Sequence, residues 1–151
     1  MSFFDGESLH PADSKGRISL PSRFRKMLPD ELVLVLSPDE GFPSLYVYSE
    51  EAYAKWANSL IQSMGGLPEN LGSSQHVLRE IFGRVRRVSV DTAGRILIPA
   101  ELRQAASLGK TVKIIGVFER IEIWNEEIHK KSKVAYQEFK LFADSLPKTQ
   151  S

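Results

Sequence analysis

DSKGRISLPSRFR, residues 13–25, returns 78 positions later as DTAGRILIPAELR, residues 91–103. Asp, Gly, Arg, Ile, Pro and the final Arg coincide, and the other differences are mostly conservative, as with Phe24 against Leu102. The likeness resumes downstream. LYVYSEE at 45–51 aligns with IEIWNEE at 121–127 at an offset of 76, two residues having dropped from the loop near SPDEGFPS. The chain therefore holds two copies of one structural unit.

Each copy has the same grammar. A strand of alternating pattern, such as RVSVD with Val88 and Val90 on one face, runs into an Asp. A tight turn follows, in which Gly16 or Gly94 supplies positive φ. A short strand, RISL or RILI, leaves the turn, and Pro21 or Pro99 opens a short helix where its missing N–H does no harm. That helix turns Phe24, Met27 and Leu28 to one face, or Leu102, Ala105 and Ala106. A strand pair comes next, ELVLVL with SLYVY and TVKIIGV with RIEIW.

Each copy ends in a helix capped by Ser49 or Asn125, with two glutamates in its first turn. Tyr53, Trp56, Ala57, Leu60, Ile61 and Met64 form a helical stripe in the first; Ile128, Ala135, Phe139 and Phe142 form a looser one in the second. Between the copies GGLPENLG breaks the chain, and SSQHVLREIFG predicts a further helix with Val77, Leu78, Ile81 and Phe82 inward. LPKTQS at the end is expected to fray. Pro11, entering the first turn, cannot donate a ladder bond, so its strand is expected to be short or at a sheet edge.

A unit of this length buries little surface alone. Two copies that interleave strands share a core and lose exposed edges. The fold expected is mainly β with short helices (α+β), an intramolecular pseudo-dimer about an approximate two-fold axis. Residues 4–64 form the first repeat, 65–83 a linker and helix, 84–142 the second repeat with its C-terminal helix, and 143–151 a tail.

Composition bounds the function. The chain has 151 residues, 42% of them apolar, which suffices for a packed core. There is no cysteine, which excludes disulfides and thiolate zinc sites. The apolar runs are too short to cross a bilayer, and MSFFDGESLH lacks the basic and apolar regions of a secretory signal. His10, His76 and His129 are scattered, no nucleophile–base grouping or Gly-rich phosphate loop appears, and neither a catalytic site, a metal nor a cofactor is expected. Net charge is only +1, but residues 1–75 carry −4 and residues 76–151 carry +5. Within the acidic half, Lys15, Arg17, Arg23, Arg25 and Lys26 cluster at the repeated stretch.

The repeated turn is the candidate site. Asp13 and Asp91 stand four residues before Arg17 and Arg95, within reach across a tight turn. The pair reads either as a structural ion pair or as a carboxylate that aims a guanidinium at an anion. Arginine suits bidentate contact with phosphate or guanine, and a two-fold pair of such turns matches the local symmetry of duplex DNA. Lys15 adds charge to the first turn. Arg23, Arg25 and Arg103 lie on the following helices, where they either contact DNA or close helix ends.

The duplicated Asp-x-x-x-Arg turns, with GRILIPAELR and GVFERIEIW, resemble the MraZ family of bacterial regulators from about Phe4 to Lys131. Each half is similar to the AbrB/SpoVT-type swapped-hairpin β-barrel. The resemblance implies a transcription factor bound to double-stranded DNA at promoter repeats upstream of division and cell-wall genes. It implies a bacterial cytoplasmic, nucleoid-associated protein assembled as a ring-like homo-oligomer, with no membrane and no small-molecule substrate. It carries DNA contact onto Asp13, Arg17, Asp91 and Arg95, and the helix after the turn adds Arg23, Arg25 and Arg103. Ala93 stands where the first copy has Lys15, so the second turn is expected to hold DNA less well. An AbrB-type antitoxin and a scaffold that binds no nucleic acid are the competing readings. The duplication and the short tail argue against the antitoxin.

Overall fold

The computed structural model describes residues 3–66 and 73–147. Strands β1 (Glu7–Pro11), β2 (Arg17–Ser19), β3 (Glu31–Leu36) and β4 (Leu45–Tyr48) belong to the first copy; β5 (Arg86–Ser89), β6 (Arg95–Leu97), β7 (Thr111–Val117) and β8 (Arg120–Asn125) belong to the second. Helices α1 (Ser22–Arg25) and α4 (Ala100–Ala105) follow the repeated turns. Helices α2 (Glu50–Ser63) and α5 (Glu126–Ser145) close the copies, and α3 (Ser73–Phe82) lies between them. The chain break read at Gly65–Gly72 and the frayed tail fall mostly on 67–72 and 148–151, outside the described residues.

Strand pairing crosses between the copies. The six-stranded antiparallel sheet has the order β1-β7-β8-β4-β3-β5, and β2 pairs β6 in a separate ribbon. Within a copy only the hairpins β3–β4 and β7–β8 pair. β1 completes its ladder on β7 and β5 on β3, β4 meets β8 at the sheet centre, and β2 meets β6. Every one of these four contacts joins one copy to the other. The barrel expected for each half is not what the strands make. The sheet is open, with β1 and β5 as its edges, each paired on one side only, with a strand of the other copy. Pro11 ends an edge strand, where its missing N–H leaves no gap in a ladder.

The core lies between the ribbon and one sheet face. Ile18, Leu20, Ile96 and Ile98 point in from the ribbon, with Phe24 and Leu102 from α1 and α4. They meet Leu32, Leu34, Leu45, Val47, Val112, Ile114, Ile121 and Ile123, all buried. The opposite sheet face carries α2 and α5. ELVLVL reads as an unbroken apolar run because β3 is buried on both faces. Leu32 and Leu34 enter the main core, while Val33 and Val35 pack with Tyr48, Tyr53 and Trp56 under α2.

Caps and turns form as the residue types require. Ser49 Oγ accepts from Ala52 N–H at 3.1 Å, and Asn125 Oδ1 from Ile128 N–H at 2.9 Å. Two stripes depart from expectation. Val77 of α3 is 43% exposed rather than inward. On α5, Ile128 and Ala135 are half-buried, but Phe139 and Phe142 are 65% and 61% exposed, because the helix outruns the sheet that covers its first turns. Among the described residues, no helix is long and apolar enough to cross a membrane.

Candidate nucleic-acid interface

The two turns sit at opposite ends of the β2–β6 ribbon. Arg17 pairs with Leu97, Ile18 with Ile96, and Ser19 with Arg95, so the local two-fold passes between the central isoleucines. Two further reciprocal bonds extend the ribbon: Ile98 N–H donates to Gly16 O and Leu20 N–H to Gly94 O, each at 3.1 Å. Strand alternation turns Ile18 and Ile96 inward. Arg17, Ser19, Arg95 and Leu97 therefore share the outward face. Arg17 and Arg95 lie two residue steps apart along it, roughly 7 Å by strand rise.

Each Asp organises its turn in the same way. Asp13 Oδ1 accepts from the Lys15 and Arg17 amides at 2.9 and 2.8 Å, and its Oδ2 accepts from Arg17 Nε at 2.6 Å. Asp91 Oδ1 accepts from the Ala93 and Arg95 amides, both at 2.9 Å, and its Oδ2 from Arg95 Nε at 3.0 Å. The Arg17 amide above all, with the Arg17 guanidinium and the Lys15 amide, holds the Asp13 carboxyl down to about 2. Asp91 is lowered for the same reasons, the Arg95 amide first. Both carboxylates are thus fixed as anions and use one guanidinium edge. Among the described residues nothing takes the Nη groups of Arg17 or Arg95. The Asp–Arg ion pair thus fixes the direction of each guanidinium.

The helix arginines are engaged differently. Arg25 Nη1 donates to Ala93 O of the other copy's turn at 3.1 Å. Arg103 Nε donates to Ile98 O at 3.0 Å, and its side chain lies over Gly16. Gly16 and Gly94 have φ of 87° and 78°, and a Cβ on either would collide with the arginine crossing it. The glycines thus serve both the left-handed turn and the close approach of a side chain from the other copy. Arg23 is held by Asp5, its Nη1 2.9 Å from Oδ1. Lys15 is exposed and forms no ion pair among the described residues.

Sequence reasoning missed three features. Leu97 is 51% exposed on the outward face opposite Arg17, a position where the first copy has Ser19. Lys110 stands beside the first turn, its carbonyl accepting from Ala12 N–H at 2.8 Å. Arg120 and Glu122 form a half-buried pair at 2.7 Å on the helix-covered sheet face, with Arg120 3.9 Å from the Tyr46 ring centroid. Alternation along RIEIW signals the last of these, since Arg120 and Glu122 share the face opposite Ile121 and Ile123.

Comparison with known proteins agrees with this duplicated layout. The model of the family described as "MraZ protein, putative antitoxin-like" matches residues 3–65 and 81–146, one segment per copy. A protein of Caldicellulosiruptor saccharolyticus named "Transcriptional regulator MraZ" is 41% identical over 122 residues, covering 81% of this chain and 80% of the relative. Proteins of the same name from Acetivibrio thermocellus and Alkaliphilus oremlandii are 39% and 34% identical, covering 82% and 89% of this chain and 81% and 92% of theirs. With both copies matched and relatives aligned along most of its length, the chain belongs to the MraZ family.

Proposed function

We propose that this chain is a sequence-specific DNA-binding transcriptional regulator that holds duplex DNA through its two Asp-x-x-x-Arg turns. One observation carries the reading. Two arginines, each aimed by its own carboxylate, share the outward face of one two-fold ribbon with their Nη groups presented. Duplex DNA offers two-fold symmetry and bidentate guanine acceptors to such a pair. The relatives' name, transcriptional regulator, supports it. In this reading Arg17 and Arg95 contact bases, Lys15 contacts phosphate, and Asp13 and Asp91 orient the arginines. Arg23, Arg25 and Arg103 support the surface from the helices. The two repeats, 4–64 and 84–142, act as interleaved AbrB-like swapped-hairpin halves joined by 65–83, with 143–151 as a tail. The protein works in the bacterial cytoplasm at the nucleoid, on promoter repeats upstream of division and cell-wall genes.

Assembly into a ring belongs to the same proposal. Tyr136, Phe139, Phe142 and Leu146 continue the α5 stripe into solvent. Elsewhere on the chain α2, α3 and the β3–β4 loop enclose an open groove of about 810 Å³ lined by Leu60, Met64, Val77 and Ile81 and rimmed by Asp39, Glu40 and Glu80. Glu80 is paired with Arg84 at 3.4 Å, so Asp39 and Glu40 are the rim charges that the lysines of α5 complement. A helix of one copy in the groove of the next is a head-to-tail contact, the kind that closes rings. An α5 face that takes a toxin, as in an antitoxin, is the second reading. Sedimentation of the purified chain separates the two, since only the first yields oligomers without a partner.

Selection of genomic fragments bound by the intact protein tests the function. Repeats upstream of division and cell-wall genes are expected, and Arg17→Ala abolishes their enrichment while circular dichroism is unchanged. Equal recovery by Arg17→Ala sinks the role of that turn.

A further inference from the structure

The two turns are alike in backbone but not in surroundings. At the first, Ala12 N–H donates to Lys110 O at 2.8 Å; at the second, Val90 N–H donates to Asp30 O at 2.7 Å. These matching bonds make Lys110 and Asp30 equivalent under the internal two-fold. The next ladder pairs follow the same equivalence, with Thr111 opposite Pro11 and Glu31 opposite Ser89. Lys110 and Arg103 line a groove of about 580 Å³ with Asp13, Ser14 and Gly16, along the flank of the first turn.

The charges divide accordingly. Around the first turn, Lys15, Arg17, Arg103 and Lys110 outnumber Asp13. Around the second, Arg95, Arg25 and Lys26 stand against Asp91 and Asp30, while Glu31 shares the Val33 face of β3, on the helix-covered side of the sheet. The remaining differences between the bracing helices are internally neutralised, because Arg23 is paired with Asp5 and Glu101 with Arg86.

We propose that Lys110 is a further DNA-phosphate contact, seated at the groove beside the first turn, and that Asp30 denies the same contact to the second turn. A turn entering a DNA groove is flanked by phosphates, which lie close along the helix axis and draw cations on both sides of the inserted loop. At the first turn such a phosphate meets Lys110; at the second it meets the Asp30 carboxylate. Each subunit therefore grips duplex with one strong and one weak turn, which gives an internally two-fold module a direction on its site.

This inference rests on the turns being the DNA-binding surface, and the experiment keeps the two apart. Phosphate contacts do not depend on sequence, so the probe is a random-sequence duplex, titrated with the intact protein across a salt series. Lys110→Ala is expected to weaken binding several-fold at low salt and to flatten the slope of log K against log salt by about one. Lys110→Arg restores the slope, and Asp30→Lys steepens it. Both positions are exposed, and circular dichroism verifies the fold. If Arg17→Ala weakens binding while Lys110→Ala leaves affinity and slope unchanged, the Lys110 contact is wrong and the turns keep their role. If the wild type shows no salt-dependent binding to duplex, both readings fall.

Discussion

Arg25 and Ala93 are 68 positions apart, yet the Arg25 guanidinium donates to the Ala93 carbonyl at 3.1 Å. An arginine on the first copy's helix thereby supports the second copy's turn, and Arg103 lies over Gly16 in return. The consequence concerns Gly94. Adding a methyl there forces an L-residue to a φ of 78° and displaces Arg25. Gly94→Ala is expected to destabilise the protein by about 1–2 kcal/mol from backbone strain alone. Urea unfolding measures it, and an unchanged midpoint would contradict the close approach.

Arg17 and Arg95 should differ in weight. Arg17→Ala loses on the order of 1–3 kcal/mol of base discrimination per engaged turn. Arg95→Ala loses less, since the second turn lacks a counterpart of Lys15 and faces Asp30. Competition between selected and random duplexes measures both. Equal losses would argue against the asymmetry.

The Asp13 carboxyl, held at about 2 against an ordinary 3.8, sets an acid limit on the first turn. A depressed folded-state pKa means that the turn's contribution is complete above about pH 4 and is lost as pH falls toward 2. Carboxyl NMR titration should place Asp13 well below the ordinary Asp range. In Arg17→Ala it should rise only in part, because the amides of residues 15 and 17 remain. A full return to the ordinary value would make the guanidinium, not the turn, the dominant cause.

The apolar end of α5 predicts assembly. Phe139→Glu with Phe142→Glu should leave the fold intact, because both side chains are exposed and neither belongs to the buried core. If the chain assembles as proposed, the intact protein sediments as an oligomer and the double variant as a monomer. Linked subunits on spaced DNA repeats gain roughly 100-fold or more in effective affinity, so operator binding should fall with it. An unchanged mass would place the subunit contact elsewhere.

Severing the chain between the copies tests the shared core. Each fragment loses the cross-copy pairings of β1, β2, β4 and β3 with β7, β6, β8 and β5. Each fragment alone is expected to be unfolded or aggregated, and the mixture to recover a dispersed proton NMR spectrum. A folded monomer from either fragment would show that the copies are independent.

The duplication, the strand and helix succession, the caps at Ser49 and Asn125, and the Asp–Arg turns were legible in the sequence. The duplication shows by direct alignment of the two stretches, and the others each depend on residues within a few positions of one another, where spacing alone dictates geometry. The pairing of copies was legible as a need, because a short unit cannot bury its own edges. What only the tertiary structure decided lies between residues far apart in the chain. The strands form an open sheet plus a ribbon, in which each edge strand finds its one ladder in the other copy. Arg25 and Arg103 turn toward the opposite copy's glycine because interleaving places each helix against the other turn. Lys110 and Asp30 become equivalent through two backbone bonds, a match hidden by insertions that shift the offset between 76 and 80. Phe139 and Phe142 read as a core stripe by period, but period tells only that residues share a face. How far the sheet reaches beneath that face is a property of the assembled fold.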